Sequence, residues 1–220
     1  DARAEAGHLE GNPIHEDAME GCALVAPDFL FNVVLDHQGK IAGAVAGHWK
    51  TAYQAGCTIA DKLYKVPITK KADLVIASCG GFPKDIDLRQ SKKGYYNAVR
   101  AVKPGGTLIV LAACDEGISR EGDPFEAWMR KYRNLDKVRA AMFEGFDMGG
   151  LNAYRTREVQ AQARLILISN IDPSLLAEMG VEAYKAADTQ KIVTQVIADF
   201  GGKPKIIVMP EAGLTLPSLA

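Results

Sequence analysis

The sequence predicts an α/β protein in which a small α+β segment is followed by a doubly wound, mainly parallel-sheet domain. Three observations predict it. Four short branched-aliphatic runs, at residues 74–78, 107–112, 165–169 and 205–209, suit strands of a sheet buried on both faces. Segments with helical caps and spacing lie between these runs, the alternation that builds a parallel sheet. The pattern also changes at Lys65-Val66-Pro67-Ile68-Thr69-Lys70-Lys71, a short charged stretch with a proline, which sets domains at 1–66 and 67–220.

In the first domain, Asn12-Pro13 marks a turn, and Glu16-Asp17 put carboxylates in the first turn of a helix running through Ala18, Met19, Cys22 and Val25. Residues 29–35 and 41–45 are β-rich runs joined by Asp36-His37-Gln38-Gly39-Lys40, a hairpin turn ending in glycine. Trp49, Ala52, Tyr53, Gly56, Ala60 and Leu63 recur at helical spacing. Two helices and a hairpin do not easily close a core, so this segment needs a further surface over its apolar face. In the second domain a weaker strand is expected at 182–184. Asp123-Pro124-Phe125-Glu126 opens a helix that buries Trp128 and, further on, Val138. Asp172-Pro173 opens another that Gly180 stops, and Ile192, Val193, Val196, Ile197 and Phe200 form the stripe of a last helix ended by Gly201-Gly202.

With 220 residues and 48% hydrophobic content the chain can bury a core. Its 26 basic and 27 acidic residues nearly cancel, which gives no electrostatic case for nucleic acid or a membrane surface as a partner. No apolar run approaches the 18 or so residues that span a bilayer. Cys22, Cys57, Cys79 and Cys114 stand far apart without a Cys-x-x-Cys pair, so no ribbon or finger zinc site is expected. Each reads as a small buried apolar group in a reducing, cytoplasmic setting.

Three places carry chemistry. His15 follows the Asn-Pro turn at a helix start, a geometry that points an imidazole outward; it is a candidate metal ligand, set against a turn histidine bonded locally. His37 and His48 read as solvent-facing. Cys79-Gly80-Gly81-Phe82-Pro83 follows the first strand of the sheet, where ligands of such folds bind, and Gly80 and Gly81 are candidates for close approach to a cofactor. Gln90 and Lys93 share one helix face and offer an amide and a cation, which together can hold a carboxylate and a neighbouring oxygen. The bland alternative is a solvated basic face, since Lys84, Arg89, Lys92, Arg100 and Lys103 are near in sequence.

Gly11-Asn12-Pro13-Ile14-His15-Glu16-Asp17, residues 29–35, Gly43-Ala44-Val45-Ala46-Gly47, residues 72–83, Asp87, Gln90 and Lys93-Gly94 together resemble the nickel-dependent lactate racemase family, over its downstream half to two-thirds. The resemblance implies a nickel-pincer nucleotide as cofactor, with His15 as a nickel ligand. It also implies substrate contacts from Gln90 and Lys93, and a first segment that is a remnant of a cofactor-binding domain. The family's cofactor-tethering lysine and proton-relay histidines would precede Asp1, so the chain alone is expected to be inactive and to need the missing N-terminal half of the same protein. The family's Tyr-Gln-x-x-Lys-Gly pattern reads Arg89-Gln90-Ser91-Lys92-Lys93-Gly94 here, which adds Arg89 as a substrate-binding candidate. A tryptophan of lactate-specific members has no match in 152–162, where Arg155, Arg157 and Glu158 occur.

The resemblance therefore implies a racemase or epimerase of 2-hydroxy acids acting by reversible hydride transfer through a 2-keto acid. The added guanidinium groups favour a small-molecule substrate larger or more acidic than lactate. His15, Gln90 and Lys93 are then expected to share a gap between two lobes. Two alternatives stand beside it. Pro104-Gly105-Gly106 before a strand resembles a segment of nucleotide-binding methyltransferases and dehydrogenases, though no Gly-x-Gly follows the first strand. A non-catalytic interaction fragment is the other, and homo-oligomerisation is left open.

Overall fold

The computed structural model describes residues 3–219. It divides into two compact units, Asp1–Val66 and Pro67–Ala220. The first contains α1 (Pro13–Val25), an antiparallel hairpin of β1 (Leu30–Leu35) and β2 (Ile41–Gly47), and α2 (Trp49–Tyr64). Among its described residues only Asn12 and Ala52 are buried, and Leu24, Phe29, Phe31 and Ile41 are well exposed. Two layers of this size bury too little apolar surface to hold a dry core.

The chain enters the second unit through β3 (Lys65–Ile68), which pairs with the last strand. There follow β4 (Ala72–Ser78), α3 (Leu88–Ala98), β5 (Val102–Leu111), α4 (Phe125–Lys131), α5 (Leu135–Glu144), α6 (Met148–Gln162), β6 (Arg164–Ser169), α7 (Pro173–Glu178), β7 (Glu182–Lys185), α8 (Thr189–Asp199), β8 (Ile206–Met209) and β9 (Leu216–Leu219). Among the described residues β7-β6-β5-β4-β8 form a sheet whose neighbouring strands are all parallel.

The period of two along each strand divides the core. Val75, Leu108, Val110, Leu165 and Leu167 face α3, α4, α6 and α7, meeting Tyr95, Phe125, Met129, Val159 and Leu176. Leu74, Ile109, Ile166 and Ile168 face the other way and meet Ile192 and Val196 of α8. Helices on both faces of a parallel sheet make the domain doubly wound, as its aliphatic runs imply.

Several details differ from the sequence reading. The helix opened at Asp123 ends at Lys131, and Val138 belongs to a separate helix whose cap is Asn134, with its side chain accepting from Lys137 N at 2.8 Å. Trp128 is only partly buried; Phe125 and Met129 fill the core instead. Cys22 is exposed, since α1 buries none of its residues, and Cys57 on α2 is half-buried. Cys79 and Cys114 are buried as expected.

Candidate functional site

The chain passes from β4 to β5, β6 and β7 in one direction across the sheet and then returns to β8 on the far side of β4. The reversal point is therefore the carboxyl end of β4, where Cys79-Gly80-Gly81 begins the loop to α3, and crevices form at such points. Buried carboxylates fix that loop. Asp85 accepts from Ala113 N at 3.0 Å, and its own carbonyl takes the Cys114 N–H at 2.8 Å. Asp87 caps α3 by accepting from Gln90 N at 2.6 Å, while Leu88 N and Arg89 N donate to Gly117 O and Ile118 O. The loops after β4 and β5 are thus stitched together beneath the first turn of α3.

That turn presents two adjacent ridges. Gln90, half-buried, and Lys93, exposed, form one, and Arg89 and Lys92 form the other. Arg89 Nε lies 2.9 Å from Asp123 Oδ2 as a close ion pair, at an angle that leaves the N–H without an aligned hydrogen bond. Lys92 Nζ donates to the amide oxygen of buried Asn152 on α6. Lys93 has no carboxylate partner among the described residues. Gly94 sets how closely α3 approaches the strand end, because a Cβ there would lie 2.6 Å from Cys79 Sγ and 3.3 Å from its Cα. Gly94→Ala is expected to push the helix and its Gln90–Lys93 ridge outward at a cost of about 1–3 kcal/mol, read as a lowered melting temperature.

Gly80 and Gly81 both adopt positive φ, +94° and +73°. Gly81 is exposed with open space where a Cβ would stand, so it leaves room for close approach. Gly80 is crowded by its own chain, since a Cβ there would lie 2.6 Å from Glu211 Oε2. Glu211, just beyond β8, pairs with Lys84 at 2.8 Å, so one ion pair bridges the two strand ends at the reversal point. Behind it, burial drives the Cys79 thiol up to about 12 and the Cys114 thiol to about 11; both are protonated packing groups touching Ser91.

In the first unit, Asn12 fixes His15. Its side-chain oxygen accepts from Ile14 N at 3.1 Å and His15 N at 3.4 Å, and its amide nitrogen ties back to His8 O at 3.0 Å. The His15 ring stacks on Tyr53 of α2, with centroids 5.7 Å apart and planes at 18°. It lines a shallow cavity of about 410 Å³ together with Glu16, Glu20, Lys50 and Gln54. Among the described residues no group of three His, Cys, Asp or Glu side chains is placed to hold a metal ion. His15 alone fits a metal group that brings its other donors, and does not fit a bare ion.

One expectation changes, and one alternative falls away. Arg157 does not line the α3 ridge; it is 2% exposed, turned between α4 and α7 onto backbone carbonyls. Pro104-Gly105-Gly106 lies within β5 at the amino end of the sheet, where a Cβ on Gly106 would be 2.7 Å from Asp73 O, so it feeds the strand and faces away from the ligand-binding end. Sequence reasoning missed the Lys92–Asn152 and Lys84–Glu211 contacts, whose partners are 60 and 127 residues apart.

Residues 68–215 match the family model of the lactate racemase C-terminal domain. A lactate racemase of Thermoanaerobacterium thermosaccharolyticum is 38% identical over 135 residues, covering 61% of this chain and 31% of that protein. One of Lactiplantibacillus plantarum is 29% identical over 217 residues, covering 95% of this chain and 49% of that protein. The lactate racemase apoprotein from T. thermosaccharolyticum superposes with a TM-score of 0.88 at 27% identity, over 99% of this chain and 52% of that one. A protein from Thermotoga maritima shares the fold, with a TM-score of 0.64 at 17% identity over 95% of this chain and 53% of that one. The chain spans about a third to a half of the length of the curated relatives it matches.

Proposed function

The chain belongs to the lactate racemase family through its C-terminal domain, and from that premise we propose that it is the downstream portion of a nickel-pincer-dependent racemase or epimerase of 2-hydroxy acids. The observation that carries this reading is the Gln90–Lys93 ridge, placed by the Asp87 cap beside the reversal point of the sheet. Lys93 offers an uncountered ammonium for the carboxylate, and Gln90 offers an amide for the hydroxyl or keto oxygen. Held by both, a planar 2-keto acid is one bond rotation from presenting its other face, which is what inversion requires. Arg89, on the neighbouring ridge, is paired with Asp123, and Gly81 leaves the loop open.

The nickel nucleotide, when bound, supplies a reversible hydride acceptor. His15 is the residue of this chain that would hold its metal, and its stacking on Tyr53 keeps the ring oriented. All four histidines lie before residue 49, so no imidazole of the second unit can take the hydroxyl proton. We assign that proton, and the cover for the apolar surface around Phe29 and Phe31, to the additional length that the relatives carry; the 220 residues alone do not turn over. Four free cysteines suit a reducing cytoplasm. No helix among the described residues is long and apolar enough to cross a membrane.

The test is chiral analysis of D- and L-2-hydroxy acids incubated with the complete nickel-loaded protein, beside its metal content. Inversion with nickel near one per chain is expected. No inversion of any 2-hydroxy acid by nickel-loaded protein would overturn the reading.

A further inference from the structure

We propose that the Ser91–Cys114 contact positions the acid-holding ridge, fixing the first turn of α3 and with it Gln90 and Lys93; this rests on the reading that those two side chains hold the acid. Cys114 lies buried just beyond β5 with φ +52°, a left-handed conformation that disfavours any residue with a Cβ. Among the described residues the other non-glycine at positive φ is Ala26, which closes α1. Glycine would make the same turn without strain, so the side chain at 114 has a task that offsets it.

The backbone around Cys114 shows what the turn does. Its N–H donates to Asp85 O at 2.8 Å, and its carbonyl accepts from Gly117 N at 2.9 Å. The turn thereby delivers Gly117 O and Ile118 O to the start of α3, where they accept from Leu88 N and Arg89 N at 3.0 Å each. Gln90 N is taken by Asp87 Oδ1 at 2.6 Å. The N–H groups that a helix start leaves open to an anion are thus already answered by the chain. A carboxylate at this end of α3 is left to the side chains, and its place depends on how accurately the first turn is set.

The thiol sets that turn. Ser91 is fully buried and donates its one hydroxyl proton to Asp87 O at 2.8 Å. Across the 3.5 Å contact between Ser91 Oγ and Cys114 Sγ the proton therefore comes from the thiol. Burial holds that thiol up at about 11, so it is protonated and able to donate at neutral pH. From the other side Cys79 Sγ donates to Ser91 O at 3.4 Å. One residue of α3, next to Gln90 in the chain, is gripped by the segments that follow β4 and β5.

The test is a double-mutant cycle in the complete protein, read by calorimetric binding of pyruvate and by amide hydrogen exchange. Cys114→Ala keeps the Cβ and loses the donor; it is expected to weaken pyruvate binding roughly three- to tenfold. Ser91→Ala should do the same, and the double variant should lose no more than the weaker-binding single one, because both remove one contact. Cys114→Ser, which restores a donor, should bring binding back to within about twofold of wild type. Hydrogen exchange separates positioning from general loosening: in Cys114→Ala the amides of residues 88–90 should exchange at least about tenfold faster while those of β4 and β5 keep their wild-type rates. Additive losses in the double variant, a Cys114→Ser protein no better than Cys114→Ala, or exchange at 88–90 that is unchanged or rises equally in the strands overturns the proposal. If Lys93→Ala weakens pyruvate binding and Cys114→Ala does not, this inference alone falls; if neither does, the ridge falls with it.

Discussion

Arg157→Ala is expected to lower the melting temperature by roughly 10 °C or more. The guanidinium is buried with no carboxylate beside it. Its Nε donates to Tyr132 O at 3.0 Å, and Nη2 donates to Met129 O at 2.8 Å and Met179 O at 2.7 Å. Nη1 reaches Gln160 Oε1 at 2.6 Å. The carbonyls belong to the end of α4 and the residue after α7, so one cation satisfies the open ends of two short helices and meets the negative poles of both. Burial pushes the guanidinium down to about 10, which still leaves it protonated at neutral pH. Truncation orphans three buried acceptors, at about 3–5 kcal/mol together. Arg157→Lys should recover less than half of the loss, because a single ammonium cannot span the planar fork. Calorimetric melting measures this, and an unchanged melt would mean that the carbonyls find other donors.

Lys93→Ala should leave the fold intact and cost the complete protein roughly a hundred- to a thousandfold in kcat/KM. The side chain is exposed, so its removal alters stability by no more than about 0.5 kcal/mol. What is lost is a charge-assisted hydrogen bond to the substrate carboxylate and the orientation that it imposes. Gln90→Ala should cost about tenfold, because the neutral amide contributes less and the backbone N–H of residue 90 still closes the Asp87 cap. Lys93→Arg should restore part of the rate, since a cation remains at the ridge with altered reach. Steady-state racemisation with circular dichroism as the folding control separates these outcomes, and a Lys93→Ala protein at wild-type rate would remove the lysine from the site.

Much of the fold is legible because its determinants are local. The Asn12-Pro13 turn, the Asp172 cap, the Gly180 stop and the period-two aliphatic runs act within a few residues, and the structure uses each of them as the sequence implies. The β3–β9 pairing is not legible: each strand has four residues and carries a proline, and the partners are about 150 positions apart in the chain. The extension of β5 back to Val102 is hidden as well, since Pro104-Gly105-Gly106 reads as a turn while its backbone loops out of register between Ala72 and Leu74 of β4. At the site, the Gln90–Lys93 ridge follows from helical spacing. Arg89, Lys92 and Arg157 look alike in sequence and are distinguished only by their partners: Asp123 before α4, Asn152 of α6, and the carbonyls at the ends of α4 and α7. Arg157 looked like a pocket residue because nothing within α6 announces that two helix ends converge on it.

The most direct measurement is the affinity of the complete protein for pyruvate, the planar 2-keto acid of lactate, compared with that of its Gln90→Ala/Lys93→Ala double variant. Saturable binding that weakens at least tenfold in the double variant, with the circular dichroism spectrum unchanged, is the predicted result. Equal affinity in the two proteins would contradict the assignment of the α3 ridge as the surface that holds the acid.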